Sequence, residues 1–205
     1  PANGPTNEVG PIYTKDDIVA GMKQATPQPN TSHVEMSISG NANGQQMSVR
    51  MTGDMETAGS DSKMSMTMEL QGIKVKMLLV DKTAYMNMGS LSGNKYAVVK
   101  ADSSDPSSKQ LVETLTMADP SKQFETFEKS MKDLKFVGVE DVDGEKMNHY
   151  SVTMDTSALA TGDTSAAKVI EYQLWLDSKS RMRKISFRLQ GMDTTMKLSK
   201  FGEPV

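Results

Sequence analysis

Cysteine is absent from the 205-residue sequence, and aromatic residues make up only 5% of it. The missing thiols exclude thiol catalysis, disulfides, thiolate-bound zinc and iron–sulfur clusters within this chain. With so few aromatic rings, a core has to be filled by Met, Val, Leu and Ile. Long apolar runs are also lacking. The longest, Met77–Val80, has the length of a strand, whereas a membrane-spanning helix needs ~20 residues.

An excess of positive charge is missing as well, since the formal net charge is −3 and the pI is about 5.5. Because phosphate binding requires a basic surface, nucleic acid is not expected as a partner. The sequence also lacks G-x-S-x-G and glycine-rich phosphate-loop motifs. We therefore predict a non-enzymatic protein, with no catalytic residues and no cofactor.

Methionine, by contrast, is abundant: the chain has 18, and ten of them lie between Met36 and Met88. In the segment Ser62–Val80, apolar and polar residues alternate on both sides of Gln71-Gly72. Alternation with a period of two places the two sets on opposite faces of a strand. The segment therefore predicts two amphipathic strands joined by a tight turn, with one face made largely of methionine.

A methionine face has three interpretations. Methionine fills irregular gaps in a core, so the face could belong to a closed, soft interior. Methionine-rich surfaces also repack around varied apolar partners, so the face could be a lipid-binding wall. Thioethers bind Cu(I), so the alternation of Met64, Met66 and Met68 also permits a copper site. Because the chain has only two histidines and no cysteine, we assign no metal site.

The order of patterns along the chain predicts one domain. Residues 1–13 are rich in Pro, Gly and Asn and indicate a flexible tether, whereas residues 14–205 are predicted to fold together. A helix capped by Thr14 is followed by six short strands, which indicates an antiparallel meander. Two helices are predicted at Gln110–Met117 and Pro120–Lys132, and strands then resume. We expect an α+β fold: a curved antiparallel sheet of about ten or eleven strands, an incomplete barrel, with helices covering its concave face.

Two polar features have simple structural explanations. His149 alternates with Tyr150 in a predicted strand and is expected to be a solvent-facing residue rather than a catalytic base. A basic cluster is predicted to form a solvated strand face, with contact to anionic lipid headgroups as the alternative; it comprises Lys179, Arg181, Arg183, Lys184 and Arg188.

Two segments resemble a known family. Residues 138–155 read G-V-E-D-V-D-G-E-K-M-N-H-Y-S-V-T-M-D, and Tyr172–Asp177 reads Y-Q-L-W-L-D. Both are similar to segments of actinobacterial envelope lipoproteins of the LppX/LprG type, and they occur in the same order. The resemblance extends from about Thr14 to Leu198.

This resemblance implies a fold similar to LolA and LolB, with a hydrophobic cavity between sheet and helices that holds the acyl chains of a lipid or lipoglycan. It also implies an extracytoplasmic protein, anchored by a lipidated cysteine upstream of Pro1, and we expect a monomer. The alternative is an envelope interaction or sensor protein with a closed core. Eight residues are predicted to line the cavity: Met36, Met51, Met66, Met68, Val75, Met77, Phe124 and Phe127.

Overall fold

The computed structural model describes residues 14–25, 30–42, 45–58, 61–70, 72–80, 83–100, 127–155, 169–189 and 191–203. The helix α1 spans Lys15–Gln24, and a short 3-10 helix spans Gly89–Ser92. The strands are β1 Asn30–Ala42, β2 Gln45–Ala58, β3 Asp61–Leu70, β4 Ile73–Val80, β5 Thr83–Asn87, β6 Ala97–Lys100, β7 Met131–Val142, β8 Glu145–Asp155, β9 Val169–Leu176, β10 Met182–Leu189 and β11 Met192–Ser199.

Helix α1 begins where the sequence predicts. The Thr14 side chain accepts a hydrogen bond from the Asp17 backbone N–H at 3.1 Å, which satisfies one of the free donors of the first turn. The acids of that turn, Asp16 and Asp17, also suit the positive end of the helix dipole. The buried face of α1 consists of Ile18, Val19 and Met22, spaced at one helical turn.

All eleven strands belong to one antiparallel sheet, in the order β6-β5-β4-β3-β2-β1-β11-β10-β9-β8-β7. Consecutive strands form hairpins, as the meander prediction requires. Two features depart from this pattern: β6 and β7 are not neighbours, and at the centre of the sheet β1 pairs with β11, where Met36 lies opposite Met196. The edge strands are β6 and β7, so the sheet is not closed. The predicted fold class is confirmed.

Strand β2 passes through Gly53 without interruption. Gly53 lies opposite Val34 on β1 and Met66 on β3. A Cβ at this position would lie 2.1 Å from the Ser65 carbonyl oxygen and 2.9 Å from Met66 Cγ. Because Gly53 has no side chain, the backbone of β3 and the Met66 side chain can approach the backbone of β2 closely.

The largest core cluster lies between α1 and the β7–β10 half of the sheet. Ile18 and Met22 of the helix pack with a set of sheet residues that share one face: Met131, Tyr150, Val152, Met154, Leu174 and Leu176. Tyr150, Val152 and Leu174 have no exposed surface. Each buried side chain of this size stabilises the fold by about 1.5–3 kcal/mol, so this cluster fixes the helix on the sheet.

The predicted second central helix ends earlier than expected. Residues 127–130 are helical, but Met131 is already the first residue of β7, where it pairs with Met154. Burial of Met131 in the main core favours the strand over another helical turn. The predicted helix Gln110–Met117, most of Pro120–Lys132 and the tether of residues 1–13 lie outside the described residues.

Candidate functional site

A methionine-rich surface extends over β1–β5, and we call it the methionine face. The strand register places its members side by side on the face of the sheet that α1 also packs against. One row runs from Met36 through Met51 and Met68 to Val75, and a second pairs Met66 with Met77. The methionine face comprises Met36, Met47, Met51, Met55, Met64, Met66, Met68, Val75, Met77, Leu79, Ala84 and Met86.

Burial differs across the methionine face. Met64, Leu79 and Ala84 are buried and form a small core cluster of their own, against which Met55 and Met66 pack. Most of the remaining methionines, including Met51 and Met68, are only half-buried. The half-buried methionines keep apolar surface that the described residues do not cover.

Six of the eight predicted lining residues lie together on this face: Met36, Met51, Met66, Met68, Val75 and Met77. Phe127 lies elsewhere, packed against the main core beside α1. Phe124 lies outside the described residues. That these side chains contact a lipid stays a prediction. Sequence reasoning passed over Met47, Met55 and Met86, although the same alternation places them on this face.

The opposite face of the same strands is polar. Arg50, Thr52 and Asp54 alternate with the methionines of β2, and Lys63, Ser65, Thr67 and Glu69 do so on β3. His33 is anchored there: its Nδ1 lies 2.6 Å from Asp54 Oδ1 and its Nε2 lies 3.2 Å from the Thr52 hydroxyl. The β1–β3 sheet is therefore amphipathic, with a charged outer face and an apolar inner one.

A cavity of about 210 Å³ opens on the outer face near the β7–β8 turn, rather than between sheet and helix. Its walls include Glu35, Asp143, Arg183 and Lys197. These charges are paired within the protein. Lys197 Nζ lies 2.8 Å from Asp143, and Arg183 Nη1 lies 2.6 Å from Glu145. The polar walls do not suit an acyl chain.

The basic cluster of β10 is largely neutralised, contrary to the solvated face that we expected. Asp177, almost fully buried, accepts hydrogen bonds from the Arg181 side chain at 2.8 Å and from two backbone N–H groups of its turn. Arg183 also lies 3.5 Å from Asp177, and Lys184 Nζ lies 4.1 Å from the centre of the Trp175 ring. Arg181 and Arg183 thus stabilise the turn between β9 and β10 through Asp177, and no local pattern predicts that this acid is buried.

The prediction that His149 faces solvent is wrong, because only 8% of it is exposed. Its ring stacks on Trp175 at 4.3 Å, since the register places the two directly opposite each other on the outer face. Its Nδ1 lies 2.8 Å from Glu140 Oε1, and its Nε2 lies 2.6 Å from Gln173 Oε1. The role is structural, as expected, but the residue ties β7, β8 and β9 together.

Glu140 completes this outer-face network. Its second carboxylate oxygen accepts a hydrogen bond from Trp175 Nε1 at 2.9 Å. This bond, followed by the one from His149, lowers the pKa of Glu140 below its ordinary value. The alternation of each strand could have placed both His149 and Trp175 on the outer face, but it does not show that the two residues are paired.

Two kinds of feature are absent from the part of the chain that the structure describes. Within the described ranges, no group of three or more His, Cys, Asp or Glu side chains could hold a metal ion. Among the same residues, no helix is long and apolar enough to cross a membrane.

The comparison with known families identifies the chain. The sequence model of the LppX_LprAFG lipoprotein family matches residues 15–205. The chain belongs to this family. The resemblance drawn from residues 138–155 is thereby confirmed. No protein with a curated description matches this LppX_LprAFG lipoprotein in sequence.

Solved structures support the fold of this LppX_LprAFG lipoprotein. LprF from Mycobacterium bovis aligns with a TM-score of 0.63 at 15% identity, covering 93% of this chain and 94% of that one. The lipoprotein LppX from Mycobacterium tuberculosis aligns with a TM-score of 0.57 at 14% identity, covering 94% and 98%. At these identities the similarity shows a shared fold and nothing more specific. A LolA superfamily protein from Nitrosomonas europaea covers 95% of both chains at 12% identity, with a TM-score of 0.33 that is too low to support an argument.

Proposed function

We propose that this protein binds a lipid or lipoglycan by laying its acyl chains along the methionine face, and that it carries this cargo without chemical change. The observation on which the proposal rests is the continuous inner surface of half-buried methionines, which the β1–β5 register assembles from Met36, Met51 and Met68. Membership of a lipoprotein family supports the proposal.

The physical basis is the burial of hydrocarbon. Each acyl methylene that leaves water contributes about 0.8 kcal/mol, so a chain of ten methylenes gains roughly 8 kcal/mol before the cost of immobilising it. Unbranched thioether side chains can adjust to chains of different length and shape. A methionine wall therefore favours a class of apolar ligands over one particular molecule.

The helical side of the site completes the proposal. Phe124 and Phe127 are proposed to contribute to the same lipid site from the helical side, with Phe127 at the main core beside α1. In this proposal the two central helices that the sequence predicts, Gln110–Met117 and the one beginning at Pro120, control entry. We further propose that the protein acts as a monomer outside the cytoplasmic membrane, anchored by a lipidated cysteine upstream of Pro1, because its family is one of lipoproteins.

Native mass spectrometry tests the proposal on protein purified from its own host, followed by extraction into organic solvent. We expect a lipid to co-purify above the amount carried by an unrelated secreted protein. Met68→Glu should reduce the bound lipid at least roughly tenfold, because a carboxylate against hydrocarbon costs well over 1.4 kcal/mol.

The matched control is Thr67→Glu, which adds the same charge at a half-buried neighbouring position on the opposite face of β3. It should retain the lipid. Thermal unfolding of both variants separates loss of ligand from loss of the fold. If the wild-type protein carries no more lipid than the secreted control, the carrier proposal is rejected and an interaction or sensor protein with a closed core becomes the better interpretation.

A further inference from the structure

The β4–β6 end of the sheet has a charge unlike that of the rest of the chain. From residue 71 to residue 101 the sequence contains five lysines and a single acid, Asp81, although the whole protein has a net charge of −3. Three of these lysines, Lys74, Lys76 and Lys95, lie in β4 and in the connection between β5 and β6, whereas Lys100 pairs with Thr83 at the other end of β5 and Lys82 lies outside the described residues. The local excess of positive charge would attract an anionic surface.

Apolar and aromatic side chains are exposed at the same place. Leu91 is 69% exposed, the highest value among the large hydrophobic residues that the structure describes. Met88 and Tyr96, which flank the same loop in the sequence, are also exposed, as are Val98 on β6 and Ile73 at the start of β4. We call these five residues the apolar tip. Apolar residues beside a tyrosine and lysines are the usual composition of a surface that enters the interfacial layer of a membrane.

The loop that presents Leu91 is firmly built. Asn87, which is buried, accepts a hydrogen bond from the Gly89 backbone N–H at 2.8 Å and donates one to the Asn94 carbonyl at 3.0 Å. The Ser92 hydroxyl closes the turn by accepting from the Met88 backbone N–H at 3.1 Å. Leu91 is therefore held out by an ordered 3-10 turn, and its insertion would cost little additional ordering.

Lysines flank this loop on the outer face. Lys76 lies opposite Asn87 in the β4–β5 register, and Lys74 follows on the same side of the strand, where its carbonyl oxygen adjoins Gly89. Both side chains are exposed. Lys74 Nζ lies 4.0 Å from Glu69 Oε2, which is the longest separation that counts as an ion pair. The charge of Lys74 is therefore weakly compensated by this neighbour.

The N-terminal helix begins at the same end of the strands. The antiparallel register places the start of β4, the end of β5 and the start of β7 at one end of the sheet. There, Lys15 at the start of α1 donates a hydrogen bond to the Met131 carbonyl at 2.7 Å. An attachment through the N-terminal side of the chain would therefore bring the apolar tip towards the same surface.

We propose that the β4–β6 end of the sheet docks onto an anionic lipid bilayer, with Leu91 entering the interfacial layer and Lys74, Lys76 and Lys95 contacting lipid phosphates. Charge complementarity selects this partner, because the surface joins a lysine excess to exposed hydrocarbon. Each lysine at an anionic membrane is worth roughly fivefold in affinity, and burial of Leu91 roughly tenfold.

Vesicle co-sedimentation of the full chain tests the proposal, with phosphatidylglycerol–phosphatidylcholine vesicles compared against phosphatidylcholine alone. We expect binding to the anionic vesicles that weakens with added salt. Leu91→Ser should lower the affinity about tenfold, and Lys74→Glu/Lys76→Glu by more than tenfold. Two controls on the far half of the sheet should bind as wild type: Val139→Ser, which alters a residue 58% exposed, and Lys146→Glu.

Insertion is measured separately with Leu91→Trp and brominated lipids. The new indole should be quenched, whereas Trp175, which is buried beside His149, should not be. Met68→Glu should still dock, so loss of lipid cargo and loss of docking are distinguishable. The proposal is overturned if the wild-type chain does not bind anionic vesicles, if it binds neutral vesicles equally well, or if Leu91→Ser and Val139→Ser bind alike.

Discussion

Replacing Gly53 by alanine adds one carbon atom between β2 and β3, where the neighbouring backbone leaves no room for it. The added Cβ would lie 2.1 Å from the Ser65 carbonyl oxygen and 2.8 Å from Met66 Cα. To reach an ordinary contact of 3.4 Å from 2.1 Å, the strands would have to separate by about 1.3 Å. Because the obstacle is backbone, the clash cannot be relieved by rotating a side chain.

Two effects of opposite sign determine the result. Alanine restricts the unfolded chain more than glycine does, which by itself stabilises a protein by about 0.4–1 kcal/mol. Overpacking of a well-filled region costs about 1–3 kcal/mol, and here the ladder between two strands is strained as well. Because the obstacle is backbone, the cost should be near the upper end, about 3 kcal/mol; less the gain of about 0.4–1 kcal/mol, this leaves a net loss of about 2–2.6 kcal/mol, which lowers the midpoint of thermal unfolding by roughly 4–10 °C in a chain of this size.

Urea and thermal unfolding followed by circular dichroism measure this change directly. Ser65→Ala is the control, because it keeps the carbonyl that obstructs the new Cβ and alters only an exposed side chain on the outer face. Gly53→Ala should also displace the Met66 side chain from its position over residue 53 and weaken lipid retention. A Gly53→Ala protein as stable as the wild type, or more stable, would refute the reasoning.

Two further predictions follow from the site. Glu140→Gln should destabilise the protein at neutral pH but not in acid. The hydrogen bond from Trp175 is the first cause of the lowered pKa of Glu140, so the carboxylate stabilises the fold above about pH 4.3 and loses this effect as the pH falls. Urea unfolding of both proteins at pH 7 and pH 3 checks the prediction, and an equal loss of stability at the two pH values would contradict it. Simultaneous replacement of Met64, Met66 and Met68 on β3 by leucine should leave the Cu(I) titration unchanged. Weaker Cu(I) binding by this variant would support a thioether copper site.

Much of the architecture could be predicted because it rests on local patterns. The methionine alternation of β3 predicted a strand face, and the register confirmed that Met66 and Met68 stand beside Met77 and Val75. Thr14 predicted the start of α1, since a cap acts within its own turn. Such features depend on neighbours in sequence, and a single sequence therefore reveals them.

The errors concern contacts between distant segments. The alternation placed His149 on the outer face correctly, but an outer face was equated with solvent, whereas Trp175 from another strand covers the ring. The sequence predicts Arg181 as a surface charge, because nothing local indicates that its partner Asp177 is buried. For the same reason, a pattern of alternating methionines could not show that Met64 is buried whereas Met51 and Met68 are half-buried.

The pairing of β1 with β11 also determines when the sheet can form. Met36 and Met196 are direct neighbours although 160 residues separate them along the chain, whereas hairpin partners such as Met51 and Met68 are close in sequence. Strands β1–β6 can therefore pair early, but the free edge of β1 stays open until β11 has been synthesised. Until then, a nascent chain would display unpaired backbone next to a row of methionines. The pairing of β1 with β11 is thus a late, long-range folding step, and an incomplete chain is most prone to aggregate before this pairing forms.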